Sequence, residues 1–135
     1  MEMNRKTVLI VEDSPVQALA LEYLLGQAGL NVLCAPDGRM GVTMAQQHAP
    51  DAIVLDIEMP EMNGFEVCRR LREDLRTAGI PIVMLTAHSE VAMVMRGIDL
   101  GAIDFIPKDA FSEAVLLETL RQLHVLDSAR STAQL

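Results

Sequence analysis

The chain is 135 residues long, 50% hydrophobic and 22% charged, which suits one globular domain with its own core and excludes intrinsic disorder. A formal net charge of −8 and a pI of about 4.7 argue against nucleic-acid binding, which needs clustered Lys and Arg, and 3% aromatic content leaves no base-stacking surface. The apolar runs are short (Val8–Val11 is typical) against the roughly 20 residues of a membrane span, and the run behind Arg5 and Lys6 stops at Glu12-Asp13, which is no secretory leader.

Short apolar runs alternate with helix-period segments five times. Val8–Val11 reads as the first strand. Ser14-Pro15 then supplies a helix cap and a first-turn proline, and the helix runs to about Gly26–Gly29 with Ala18, Leu21, Leu24, Leu25 and Ala28 facing a core. Val32-Leu33-Cys34 is the second strand. Asp37-Gly38 opens a helix carrying Met40, Val42, Met44 and Ala45, which stops before Pro50. Ile53-Val54-Leu55 is the third strand, ending at Asp56, and Pro60 and Asn63-Gly64 mark a loop.

The third helix covers Phe65 to about Leu75. Ile82–Leu85 is the fourth strand. Ser89 caps a fourth helix from about Glu90 to Leu100, which Gly101 stops. Asp104-Phe105-Ile106 is the fifth strand, and a last helix runs from about Ala110 to Leu126 with Asp109 as its cap. Residues 127–135 form a short polar tail, leaving 1–126 as the domain. The pattern βαβαβαβαβα predicts an α/β fold: a doubly wound (βα)5 three-layer sandwich around a five-stranded parallel sheet. Strands two to four are nearly continuous apolar runs, as a sheet covered on both faces requires.

Two further features read as ordinary. Arg69, Arg70, Arg72 and Arg76 are mixed with Glu66, Glu73 and Asp74, which suits a solvated helix face. Cys34 and Cys68 form no CxxC and suit reduced thiols in a cytoplasmic protein.

In a doubly wound sheet, ligands bind beyond the carboxyl ends of the strands. Those ends carry Glu12-Asp13, Asp56, Thr86 (followed by Ala87 and His88) and Lys108; strand two offers only Ala35-Pro36. Each residue alone has a structural explanation, such as acids at a helix N-terminus or a turn hydroxyl. Together they bring three carboxylates, a hydroxyl and an ammonium to one edge. Three carboxylates in one cleft repel, and a hard divalent cation offsets the repulsion. Mg2+ fits, with Mn2+ able to substitute: Asp13 and Asp56 serve as direct ligands, and Glu12 reaches the ion directly or through water. Such a site favours attack by a carboxylate on phosphorus, with Lys108 and the Thr86 hydroxyl on phosphoryl oxygens.

The chain closely resembles the receiver domain of two-component response regulators. The resemblance spans nearly the whole length and rests on Glu12-Asp13-Ser14-Pro15, Leu55-Asp56-Ile57-Glu58-Met59-Pro60-Glu61-Met62-Asn63-Gly64, Thr86-Ala87 and Phe105-Ile106-Pro107-Lys108. It implies the flavodoxin-like strand order 2-1-3-4-5. It further implies that Asp56 accepts a phosphoryl group from a sensor histidine kinase or a histidine phosphotransfer protein. Glu12 and Asp13 become the metal-binding acids, the backbone carbonyl of Glu58 a further ligand, Thr86 and Lys108 the phosphate-sensing residues, and Phe105 the aromatic that changes rotamer. By this reading the chain is a phosphorelay switch in the cytoplasm rather than an enzyme.

The implied switch draws Thr86 toward the phosphoryl oxygens and turns Phe105, reshaping the face of the fourth helix, fifth strand and fifth helix. Val91-Ala92-Met93-Val94-Met95 is apolar beyond one stripe, and the last helix carries Val115, Leu116, Leu117, Leu120 and Leu123. That face suits a downstream protein target or a homodimer. Glu58, Met59 and His88 flank the site, either solvent-exposed or, for Glu58 and His88, tuning how water reaches the phosphoryl group.

The sequence departs from the family pattern at three points. Asp109, not proline, follows Lys108, and a cis bond there costs about 2.5–4 kcal/mol, so a trans loop of different shape is expected. Pro107 within the strand requires a sheet edge. Phe105 lacks a tyrosine hydroxyl. Three rival readings fare worse. A small aspartyl phosphatase has no cap domain here, a flavin carrier would have its phosphate repelled by Glu12-Asp13, and a non-phosphorylated pseudo-receiver would not need the full acidic set. No output domain fits in 127–135, so a single-domain receiver is expected.

Overall fold

The structure is a computed structural model describing residues 5–86, 104–108 and 112–126 together with Asp99 and Gly101; the side chains of Asp104 and Phe105 are not among the described groups. The elements run β1 (Thr7–Val11), α1 (Pro15–Gln27), β2 (Asn31–Ala35), α2 (Gly38–His48), β3 (Ala52–Asp56), α3 (Gly64–Glu73), β4 (Ile82–Thr86), β5 (Asp104–Pro107) and a C-terminal helix (Ser112–Gln122). The predicted fourth helix with Ser89 and Met93-Val94-Met95, His88, Asp109 and the tail 127–135 lie outside the described residues, apart from Asp99 and Gly101.

Local chemistry starts the first three helices. The side chain of Ser14 accepts from Gln17 N–H at 3.3 Å, Asp37 from Met40 N–H at 2.8 Å, and Asn63 from Glu66 N–H at 3.0 Å. The five strands pair in parallel in the order β2-β1-β3-β4-β5, so β5 is an edge strand, as Pro107 requires.

Strand alternation divides each apolar run between two cores. Leu9, Val11, Ile53, Leu55, Ile82 and Met84 pack with Phe65, Val67 and Leu71 against α2 and α3. Val8, Ile10, Val54, Val83 and Leu85 pack with Leu25, Leu116 and Leu120 of α1 and the C-terminal helix. Each fully buried Leu or Ile contributes about 1.5–3 kcal/mol.

Five expectations change. β2 is only half covered, with Asn31 exposed, because it closes the opposite edge of the sheet. Met59 is buried in the α2–α3 core rather than lying at the surface of the site. Helix α3 stops at Glu73, because Asp74 turns extended and accepts from Arg76 N–H while the buried Thr77 hydroxyl donates to Leu71 O at 2.7 Å. The C-terminal helix ends at Gln122. His124 there adopts a left-handed φ of 62°, and Val125 folds back to donate its N–H to Leu120 O and enter the core.

The fifth change concerns the arginines. Arg69 and Arg70 pair with Glu66, and Arg76 with Asp74, as on a solvated face. Arg72 instead turns inward and donates to the carbonyls of Ala78, Ile80 and Gly101 at 2.9, 2.8 and 2.8 Å.

Candidate functional site

Parallel pairing brings every strand's carboxyl end to one edge. Asp56 ends β3 and lies opposite Leu85; Thr86 ends β4 and lies opposite Pro107, one residue before Lys108. Glu12 and Asp13 leave β1 beside them, with Glu12 N–H donating to Ala35 O at 3.1 Å. The loop after β3 is folded back tightly: Gly64 N–H donates to Ile57 O at 3.0 Å, and a β-carbon on Gly64 would lie 2.7 Å from Asp56 O.

The predicted groups converge. Carboxylate oxygens of Glu12, Asp13 and Asp56 lie within 4.8 Å of one another. Lys108 Nζ donates to Asp56 Oδ1 at 3.0 Å, to Glu12 Oε1 at 3.5 Å and to Gln17 Oε1 at 2.8 Å, one acceptor for each ammonium proton. Glu58 N–H donates to Asp56 Oδ1 at 3.3 Å, and Ser14 N–H to Glu12 Oε2 at 3.1 Å. The Thr86 hydroxyl donates to Glu58 Oε2 at 2.9 Å. Glu12, Asp56 and Thr86 are buried, whereas Asp13 and Glu58 are exposed at the rim.

The charges are in conflict. Burial pushes the Glu12 carboxyl up from 4.5 to about 7; the Ser14 N–H bond opposes this, the Asp56 carboxylate adds to it, and Lys108 opposes it. Burial alone would lower the Lys108 ammonium, but its hydrogen bond to Asp56 and the charges of Asp56 and Glu12 outweigh that and raise it. Three carboxylates thus face one described ammonium. A hard, oxygen-only donor set with two buried acids suits a divalent cation of the Mg2+ type.

One group went unread in the sequence: Gln17 reaches Lys108 from the first turn of α1, whose Ser14 cap places that turn at the same edge. Glu58 was expected beside the site, but the contact of its side chain with Thr86 follows only from the β3–β4 pairing. The Phe105 side chain and His88 lie outside the described groups.

The response regulator receiver domain family model matches residues 8–121, and the chain belongs to that family. It is a receiver domain of two-component signalling, a switch fold. Protein PilH of Pseudomonas aeruginosa is 37% identical over 113 residues, which cover 84% of this chain and 93% of that protein. The chain spans about half the length, 53% and 50%, of two longer transcriptional regulators that it matches at 38% and 39% identity.

Among solved structures, chemotaxis protein CheY4 of Vibrio cholerae superposes with a TM-score of 0.83 at 33% identity, covering 88% of this chain and 98% of that one. The receiver domain of sensor histidine kinase PA1611 of Pseudomonas aeruginosa, solved with a magnesium ion coordinated in its active-site cleft, gives 0.80 at 28% identity over 88% and 97%. No helix among the described residues is long and apolar enough to cross a membrane.

Proposed function

We propose that this receiver is a phospho-accepting switch in which Asp56 takes a phosphoryl group from a phosphohistidine of a sensor histidine kinase or a histidine phosphotransfer protein. The observation that carries the reading is the buried Asp56 carboxylate with the Lys108 ammonium 3.0 Å away and the acids of Glu12 and Asp13 beside it. A carboxylate oxygen of Asp56 attacks phosphorus, the P–N bond breaks, and the imidazole nitrogen keeps the electron pair.

Glu12, Asp13, Asp56 and the backbone carbonyl of Glu58 would hold Mg2+, or Mn2+ in its place. Bound there, the ion supplies neutralisation of the oxygens on the transferred group. Lys108 orients the Asp56 carboxylate beforehand and offers its point charge to a phosphoryl oxygen afterwards. The Thr86 hydroxyl is the sensing donor, and Phe105 is the residue that turns with it to alter the surface read by a downstream protein or a second copy. The receiver occupies 1–126 with 127–135 as its tail, and it works in the cytoplasm.

Intact mass after treatment with acetyl phosphate tests this. Wild type with Mg2+ gains one phosphoryl group, the gain is lost with EDTA, and Asp56→Asn gains none. An equal gain in Asp56→Asn overturns the assignment.

A further inference from the structure

We infer that the Glu58 side chain is a positioning residue of the switch: in the unphosphorylated chain its carboxylate retains the Thr86 hydroxyl and opposes the contact of that hydroxyl with the phosphoryl group. This rests on the reading of Thr86 as the sensing donor. The Thr86 hydroxyl donates to Glu58 Oε2 at 2.9 Å. A threonine hydroxyl has one proton, so its bond to Glu58 and its bond to a phosphoryl oxygen exclude each other. The carboxylate is therefore a competitor for the group that reports phosphorylation.

The surroundings make this competitor stable and yet displaceable. Thr86 is 1% exposed, so its hydroxyl needs an acceptor within reach. Glu58 is exposed, so water takes over its carboxylate when Thr86 leaves. Its backbone N–H is tied to Asp56 Oδ1 at 3.3 Å, which holds residue 58 against the side chain that takes the phosphoryl group. Once Asp56 carries the roughly −1.5 to −2 charge of a phosphoryl group, the Glu58 carboxylate and the phosphoryl oxygens repel. One event thus creates the new acceptor and weakens the old one.

The Glu58–Thr86 bond belongs to the unswitched state alone, and an interaction present in one state shifts the equilibrium by its full differential strength. A hydrogen bond to a charged group is worth about a tenfold change in that equilibrium.

Glu58→Ala removes the acceptor; Glu58→Gln keeps a neutral one of the same length. The Thr86 methyl resonance reports its position before and after acetyl phosphate and Mg2+, with phosphorylation verified by intact mass. Before phosphorylation, the switched population rises about tenfold in Glu58→Ala and by less in Glu58→Gln, relative to wild type. That ranking, with partial rescue by the neutral isostere, is not what a merely structural role produces. Identical Thr86 positions and populations in all three chains overturn the inference, while Asp56 phosphorylation seen by mass leaves the functional reading standing. Absence of any mass gain in wild type would instead overturn that reading and the inference with it.

Discussion

Glu12 shows how one residue can be poorly matched to the fold and well matched to the site. Its carboxyl is pushed from 4.5 to about 7, first by burial and then by the Asp56 charge, against the Ser14 N–H and Lys108. Between those values the native chain holds a proton that the unfolded chain has lost. The stabilisation is therefore full below about pH 4.5 and is lost as pH rises through about 7. In EDTA, urea unfolding over this interval gives a stability that falls with pH, and Glu12→Gln, neutral throughout, gives a shallower slope. Equal slopes in the two chains would contradict the assignment. Glu12, whose ionised form is disfavoured by burial in the metal-free site, is thus one of the three acids that a cation would relieve.

At the scale of elements, the turn from β3 into α3 sets the geometry. Asn63 caps α3, and Gly64 lets the helix start press against the strand end, where an added β-carbon would lie 2.7 Å from Asp56 O and 2.8 Å from Ile57 Cα. Backbone cannot swing aside as a flexible side chain can. Gly64→Ala is expected to cost about 1–3 kcal/mol in urea unfolding. By moving Asp56 it also slows phosphorylation by acetyl phosphate, by up to about a hundredfold for a shift near 1 Å. An unchanged rate would show that Asp56 is positioned independently of this contact. Arg72 plays a comparable part at the far end of α3, where its three carbonyl contacts join the helix to the approach to β4 and to Gly101.

For the molecule as a whole, the site exists only in the folded chain, because its acids come from the segment after β1 and from the end of β3, and its ammonium from the segment after β5. A cation that binds the native site and not the unfolded chain stabilises by mass action, about 2.7 kcal/mol at a hundred times its dissociation constant. Mg2+ is expected to raise the melting temperature, EDTA to reverse it, and Asp13→Asn at the exposed rim to abolish most of the gain. Equal stabilisation in wild type and Asp13→Asn would place the cation elsewhere.

The amino-acid sequence alone determined the alternation of elements and the residues at the strand ends. Ser14-Pro15, Asp37-Gly38, Asn63-Gly64 and the apolar runs act on neighbours within a few residues, so their effect can be read without a fold. The doubly wound rule then placed Glu12, Asp13, Asp56, Thr86 and Lys108 at one edge. Helix ends that carry no glycine or proline, such as Glu73 and Gln122, were not legible, because side-chain contacts and a left-handed His124 end them. Only the tertiary structure decided that Gln17 meets Lys108 from 91 residues away, that Thr86 is held by Glu58 from 28 away, that Arg72 turns inward and that Met59 is core. Those contacts depend on register, twist and loop path, which set the distance between remote residues and leave no periodic mark in the chain.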